Sequence, residues 1–197
     1  MEEILAFIKA KYEKYSSINQ SFVIGINGID CSGKTTFAKL LSKYFIHHKI
    51  ENVCLDIDNF NNPAIESETY KAFVSDSWDE EDLNKYYELI INFSDATRAV
   101  SESKKKYSLV ILEGIFIYKP QLVDIFDLKI YLDIDISLGR KRFAKRRSLK
   151  QDKRPFDIYD KIWMPSQIRY ESEVHPKRIS DLVIDYNAES QPVLHEN

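Results

Sequence analysis

The 197-residue chain is 44% apolar and 30% charged, with a net charge of −3, a balance that excludes a disordered chain. No long uncharged apolar run is present, which argues against a membrane span, and Cys31 and Cys54 are too few for a disulfide framework or a zinc site. The opening Met-Glu-Glu lacks the basic stretch of a secretory signal, so the expectation is a reduced, cytoplasmic protein folded as one domain over 1–197.

Residues 2–15 place Ile4, Leu5, Ile8 and Tyr12 at helical spacing, predicting an amphipathic opening helix. Phe22 to Asn27 reads as a buried strand, and a helix is expected from Thr35 to about Phe45. Between them the glycines cluster: of five in the chain, Gly25, Gly28 and Gly33 fall within nine residues. Backbone there must go where a side chain is not tolerated. Asn52 to Ile57 is a second buried strand. Asn59 to Ser77 reads as polar and irregular, longer than a simple connection needs, and Trp78 follows it between acids.

A helix is predicted from about Glu80 to Phe93, with Leu83, Tyr86, Tyr87 and Ile90 on its face. Strands at Leu109 to Leu112 and Lys129 to Ile134 come next, then a basic helix from Ser137. A helix over Phe156 to Ser172 and a short strand, Asp181 to Asp185, close the pattern. Strands alternating with helices predict an α/β fold around a mainly parallel five-stranded sheet. Charge is uneven along it: residues 140–154 hold nine of the 28 lysines and arginines and one of the 31 acids. An acidic body with one basic segment points to a local anion site, with neither a nucleic-acid face nor a membrane surface implied.

Gly28-Ile29-Asp30-Cys31-Ser32-Gly33-Lys34-Thr35 matches the Walker A pattern G-x-x-x-x-G-K-[ST], in its required place between strand and helix. The glycines let backbone N–H groups turn toward phosphate oxygens, and the helix N-terminus adds positive potential. Asp30, Cys31, Ser32 and Thr36 complete the expected nucleotide-binding stretch. Lys34 is expected to reach the β and γ phosphates, and the Thr35 hydroxyl to ligate Mg²⁺. A guanine-reading N-K-x-D segment is missing: the only Asn-Lys pair, Asn84-Lys85, continues Tyr86-Tyr87 inside a predicted helix. A GTPase is therefore disfavoured.

In parallel α/β sheets ligands sit at the carboxyl ends of the strands. Asp58 ends the second strand, within LDIDNF, and Glu113 ends the strand LVILEG. Asp58 has the position to accept a proton from a substrate hydroxyl; Asp58 and Glu113 with Thr35 make a set of oxygens suited to Mg²⁺. Asp133 and Asp135, around the end of YLDIDI, stay open between site residues and turn acceptors. Arg142 and Arg146 share one helical face in the basic segment, where an arginine pair suits a transferring phosphoryl group. A lid over about 138–155 would exclude water from that step.

GINGIDCSGKTTFAKLL, LDIDNFNNP, SDSWD, LVILEGIFIY, YLDIDISLGRKRFAKR and SDLVI occur in the order found in the uridine kinase and phosphoribulokinase-like P-loop kinases, which the chain resembles over about residues 20 to 186. The resemblance implies the P-loop NTPase fold with a small basic lid. It implies that Asp58, in Asp58-Asn59-Phe60, is the catalytic base, with Phe60 at the acceptor site. It also implies a magnesium-site carboxylate at Glu113, acceptor contacts from Trp78 and Asp79, and a phosphate-facing lid pair in Arg142 and Arg146. The expected activity is ATP- and Mg²⁺-dependent phosphoryl transfer to a hydroxyl of a small molecule, most simply a nucleoside. A nucleoside-monophosphate kinase and a non-catalytic or nucleic-acid-linked ATPase are the alternatives. Assembly into homo-oligomers is left open. Asp79 also has a plainer reading, as the cap of the helix beginning near Glu80.

Overall fold

A computed structural model describes residues 1–16, 21–150, 155, 157–187 and 192–196. Helix α1 (Glu2–Ser16) leads to strand β1 (Phe22–Gly28), helix α2 (Lys34–His47) and strand β2 (Asn52–Asp56). A 3₁₀ turn (Ile57–Phe60) precedes α3 (Pro63–Val74), α4 (Glu80–Leu89), α5 (Phe93–Lys104) and β3 (Leu109–Glu113). After a second 3₁₀ turn at Val123–Ile125 come β4 (Leu128–Asp133) and α6 (Ile136–Lys150). A π-helical turn (Tyr159–Trp163) runs into α7 (Met164–Val174), and α8 (Pro176–Ile179), β5 (Leu182–Asp185) and β6 (Val193–Glu196) close the described chain.

The sheet order is β2-β3-β1-β4-β5-β6, parallel except for β6. β1 lies at its centre and is buried along its whole length. On one face Phe22, Ile24 and Ile26 pack with Ile4, Ile8, Phe37 and Leu41 of α1 and α2. On the other, Val23 joins the cluster holding Tyr87, Phe116, Tyr118 and Tyr170. Helices on both faces explain why the strands read as continuous apolar runs rather than alternating ones.

Three expectations change. The segment Asn59 to Ser77 is not irregular: the Asn62 side chain accepts from the Ala64 amide at 3.1 Å, Pro63 opens α3, and Ile65, Thr69 and Phe73 are buried along one stripe. The helix expected over Glu80 to Phe93 stops at Leu89, because the Asn92 side chain caps a new helix by accepting from the Asp95 amide at 3.1 Å. The five-stranded sheet gains a sixth strand, β6, antiparallel to β5. Phe156 and residues 151–154 lie outside the described residues, and with them part of the expected helix start and lid. Pro165 sits at the start of α7, immediately after the π-helical turn. Among the described residues, no helix is long and apolar enough to cross a membrane.

Candidate active site

The loop between β1 and α2 wraps one end of a cavity of about 740 Å³ at the carboxyl ends of β1, β2 and β3. Asp30, Cys31, Ser32, Gly33, Lys34, Thr35 and Thr36 all line it. Gly28 lies behind, where a Cβ would stand 2.7 Å from the Leu132 carbonyl oxygen. The Ser32 amide closes the loop onto the Ile29 carbonyl at 3.1 Å, and Lys34 Nζ donates to the same carbonyl at 2.9 Å. α2 starts at Lys34, so its free amides and its dipole aim into the loop.

Asp58 and Glu113 enter this cavity from neighbouring strands, since Asp56 of β2 is in register with Glu113 of β3. β2 ends at Asp56, and Asp58 sits in the following 3₁₀ turn rather than on the strand. The Asp56 carboxylate makes that turn by accepting the Asp58 amide at 3.0 Å. Asp56 also lines the cavity. It was not among the expected site residues; the Asp-x-Asp spacing, a carboxylate two residues ahead of a turn, was the signal for it.

Glu113 is 3% exposed. Burial pushes its carboxyl up to about 7, aided by the charges of Asp56 and Asp58 and opposed by the Thr35 hydroxyl and Lys34. Its Oε1 and the Ser32 hydroxyl are buried with no hydrogen-bond partner among the described residues. Buried polar atoms are normally satisfied, so both mark a place for a ligand that brings donors or a cation. No cluster of three or more His, Cys, Asp or Glu able to cage a metal exists among the described residues. The oxygen set Thr35, Asp58 and Glu113 still fits Mg²⁺, which takes few protein ligands and completes its shell with waters and substrate phosphates.

α6 crosses above the loop. Arg142 donates through Nη1 to the carbonyls of Ser32 and Cys31 at 3.1 and 3.4 Å. Arg146, one turn on, lines the same cavity and stands 5.7 Å from the Phe143 ring. Phe143 is fully buried and stacks on Tyr159 at 5.3 Å, while Arg140 grips Asp160 with two parallel hydrogen bonds of 2.8 and 2.7 Å. The helix is thus seated on the π-helical turn by its apolar and outer faces, leaving Arg142 and Arg146 to the cavity. Burial pushes the Cys31 thiol up, against the pull of Arg146, which disfavours the reactive thiolate; Cys31 serves here as part of the cavity wall.

A second cavity of about 350 Å³ adjoins the first and shares Asp30, Asp58, Ile115 and Arg146 with it. Tyr86, Ile90, Ile162 and Trp163 are among its walls. Trp163 belongs to the core, 9% exposed, and also lines this cavity. Of the residues expected at the acceptor, Asp58 lines both cavities and the other three do not. Phe60 and Trp78 are half-buried against the core, and neither they nor Asp79 lines either cavity. The Asp79 carboxylate accepts the Asp82 amide at 3.0 Å and completes a capping box at the start of α4. Asp79→Ala is accordingly expected to lower the unfolding free energy by about 1 kcal/mol, read by denaturant melting. An unchanged melt would show that α4 does not depend on this cap. Asp133 pairs with Lys177, and the Asp135 carbonyl accepts the Gly139 amide at 3.0 Å at the start of α6. Both are turn and ion-pair residues, away from the phosphate cavity.

Gly114 fixes how closely β3 approaches the Asp58 turn. Its φ is +151°, and a Cβ there would stand 1.9 Å from Ile57 Cγ2. Gly114→Ala should therefore cost roughly 3 kcal/mol of stability through overpacking, measured by urea unfolding. A wild-type midpoint would show that Ile57 yields freely.

Residues 23–148 match the model of the phosphoribulokinase/uridine kinase family. The chain is 30% identical to the uridine kinase of Saccharomyces cerevisiae over 146 residues, 64% of this chain and 28% of that protein. It is also 30% identical to the pantothenate kinase of Streptococcus pneumoniae over 180 residues, 77% of this chain and 58% of that one. The chain thus spans between a quarter and three-fifths of the length of these relatives. A solved structure described as a possible uridine kinase from Bacillus stearothermophilus superposes with a TM-score of 0.61 over 89% of this chain and 98% of that one, at 16% identity, and so shares its fold. With its loop, its sheet and two-thirds of its length accounted for in this way, the chain belongs to the phosphoribulokinase/uridine kinase family.

Proposed function

We propose that the protein is a kinase that moves the γ-phosphoryl group of ATP onto a hydroxyl of a small molecule. One observation carries this reading: Asp58 lines both cavities, standing where the loop that suits phosphates meets a pocket with apolar walls. A hydroxyl in the smaller cavity would lie against Asp58 with the phosphate chain beyond it. Its oxygen attacks the γ-phosphorus, Asp58 takes the hydroxyl proton, and the bond from the γ-phosphorus to the bridging oxygen breaks to release ADP. Lys34 and the loop amides hold the phosphates in line, which is most of what such a reaction asks of a protein. Arg146, common to both cavities, is placed for the charge on the equatorial oxygens, and Arg142 closes the loop from above. Mg²⁺, held by Thr35, Asp58 and Glu113, would supply charge neutralisation on the phosphates.

The test is a panel of ribonucleosides and simple alcohols with ATP and Mg²⁺, read by ADP release and by recovery of the phosphorylated acceptor. Acceptor-dependent ADP release with matching product is the expected result, and addition of excess EDTA should abolish it. ATP turnover that no acceptor stimulates would favour an ATPase instead. Nothing in the cavities singles out uridine, so the nucleoside is an expectation drawn from the family resemblance and the named relative.

A further inference from the structure

Of the polar side chains in the smaller cavity that the reaction does not use, Asn61 precedes α3 and two, Glu66 and Thr69, stand on it. Thr69 is 6% exposed and Glu66 lies one turn before it, and both face the cavity. Neither side chain makes a hydrogen bond or ion pair with another described residue. The Thr69 hydroxyl borders the cavity, where it can donate to or accept from a ligand group. Glu66 belongs to the smaller cavity alone, whereas the other two carboxylates there, Asp30 and Asp58, also border the phosphate cavity. Three carboxylates against one arginine, Arg146, around about 350 Å³ leave the pocket net negative toward an anion. Like-charge juxtaposition is a common means of rejecting a wrong partner. Apart from Asn61 the remaining wall is apolar or aromatic, with Tyr70, Tyr86, Ile90 and Trp163 among its residues, which suits the flat or apolar face of a small molecule.

We propose that α3 selects the acceptor by charge: Glu66 turns away anionic alcohols, and Thr69 hydrogen-bonds an uncharged acceptor whose apolar face lies on the aromatic wall. The acceptor class is then an uncharged, nucleoside-sized alcohol, and carboxylated or phosphorylated alcohols are excluded. This rests on the kinase reading above.

The experiment compares kcat/KM for uridine, cytidine and adenosine with that for pantothenate and uridine monophosphate, using ATP and Mg²⁺. It is run on the wild type, Glu66→Gln, Glu66→Lys and Thr69→Val, with ATP affinity measured in parallel by calorimetry. The wild type should favour its best uncharged acceptor over either anion by about 100-fold or more, the scale of like-charge juxtaposition with the three carboxylates together. Glu66→Gln should narrow that ratio and Glu66→Lys should narrow it further, by about tenfold in all, with ATP affinity unchanged. Thr69→Val, which keeps the shape, should raise the KM of the uncharged acceptor by about tenfold through loss of one hydrogen bond and leave kcat nearly alone. An anionic acceptor used within tenfold of the best uncharged one would overturn the proposal, as would a ratio insensitive to both Glu66 variants. Should no acceptor be phosphorylated while ATP still binds, the proposal fails and nucleotide binding stands. Failure to bind ATP at all would bring down the kinase reading itself.

Discussion

Lys34→Ala is expected to abolish phosphoryl transfer in a protein that still folds. Lys34 opens α2 and is 8% exposed, its ammonium held at the Ile29 carbonyl within the loop. Alanine is a good residue in a first helical turn, and the truncation removes a partly desolvated charge, so stability should stay close to wild type. What disappears is the fixed positive charge in contact with the phosphate chain as negative charge redistributes during transfer. A single preorganised electrostatic contact of this kind is worth about 10²- to 10³-fold in rate, and lost alignment adds to that. Rate measurement by coupled ADP release, beside a thermal melt of the same sample, gives the answer. Near-normal turnover in the folded variant would sink the assignment of this loop as the nucleotide site.

Asp58→Asn should separate chemistry from binding. Asparagine keeps the shape of the side chain, and the turn is made by the Asp56 carboxylate on the Asp58 amide, a bond the substitution does not touch. ATP affinity should therefore change little, while kcat falls by about 10²-fold or more, the usual scale for a positioned general base. The opposite pattern, ATP affinity lost and turnover preserved at saturation, would leave Asp58 with cation binding alone and put the base elsewhere.

The phosphate loop and the central strands were legible in the sequence because their signals are local. A glycine-spaced loop followed by Lys-Thr has one structural solution, and strands buried on both faces show as apolar runs. Asp58 and Glu113 were legible for the same reason, standing at the ends of such runs. The pocket proposed for the acceptor was not. Its walls include residues of α3, α4 and the π-helical turn and Ile115 beyond β3, segments far apart in the chain whose side chains meet only once the fold has formed. Trp78 carried the right chemistry for stacking, but the capping box at Asp79 fixes the chain there for the start of α4. The tryptophan packs on the core instead. α3 itself was hidden by its polar face, although Asn62-Pro63 followed by Ile65, Thr69 and Phe73 is a helix start with a buried stripe. β6 has one inward residue, Leu194, packed on the core, too little for a pattern.

That short antiparallel strand closes a border. Leu182, Val183 and Ile184 of β5 are buried and apolar, and β6 occupies their outer hydrogen-bonding side, with Glu196 paired to Lys11 of α1. A chain ending at Asn187 would keep every residue of the two cavities yet present an unpaired apolar strand to its neighbours. Open edges of that kind template intermolecular pairing, so such a chain should lose colloidal solubility on concentration well before it loses secondary structure.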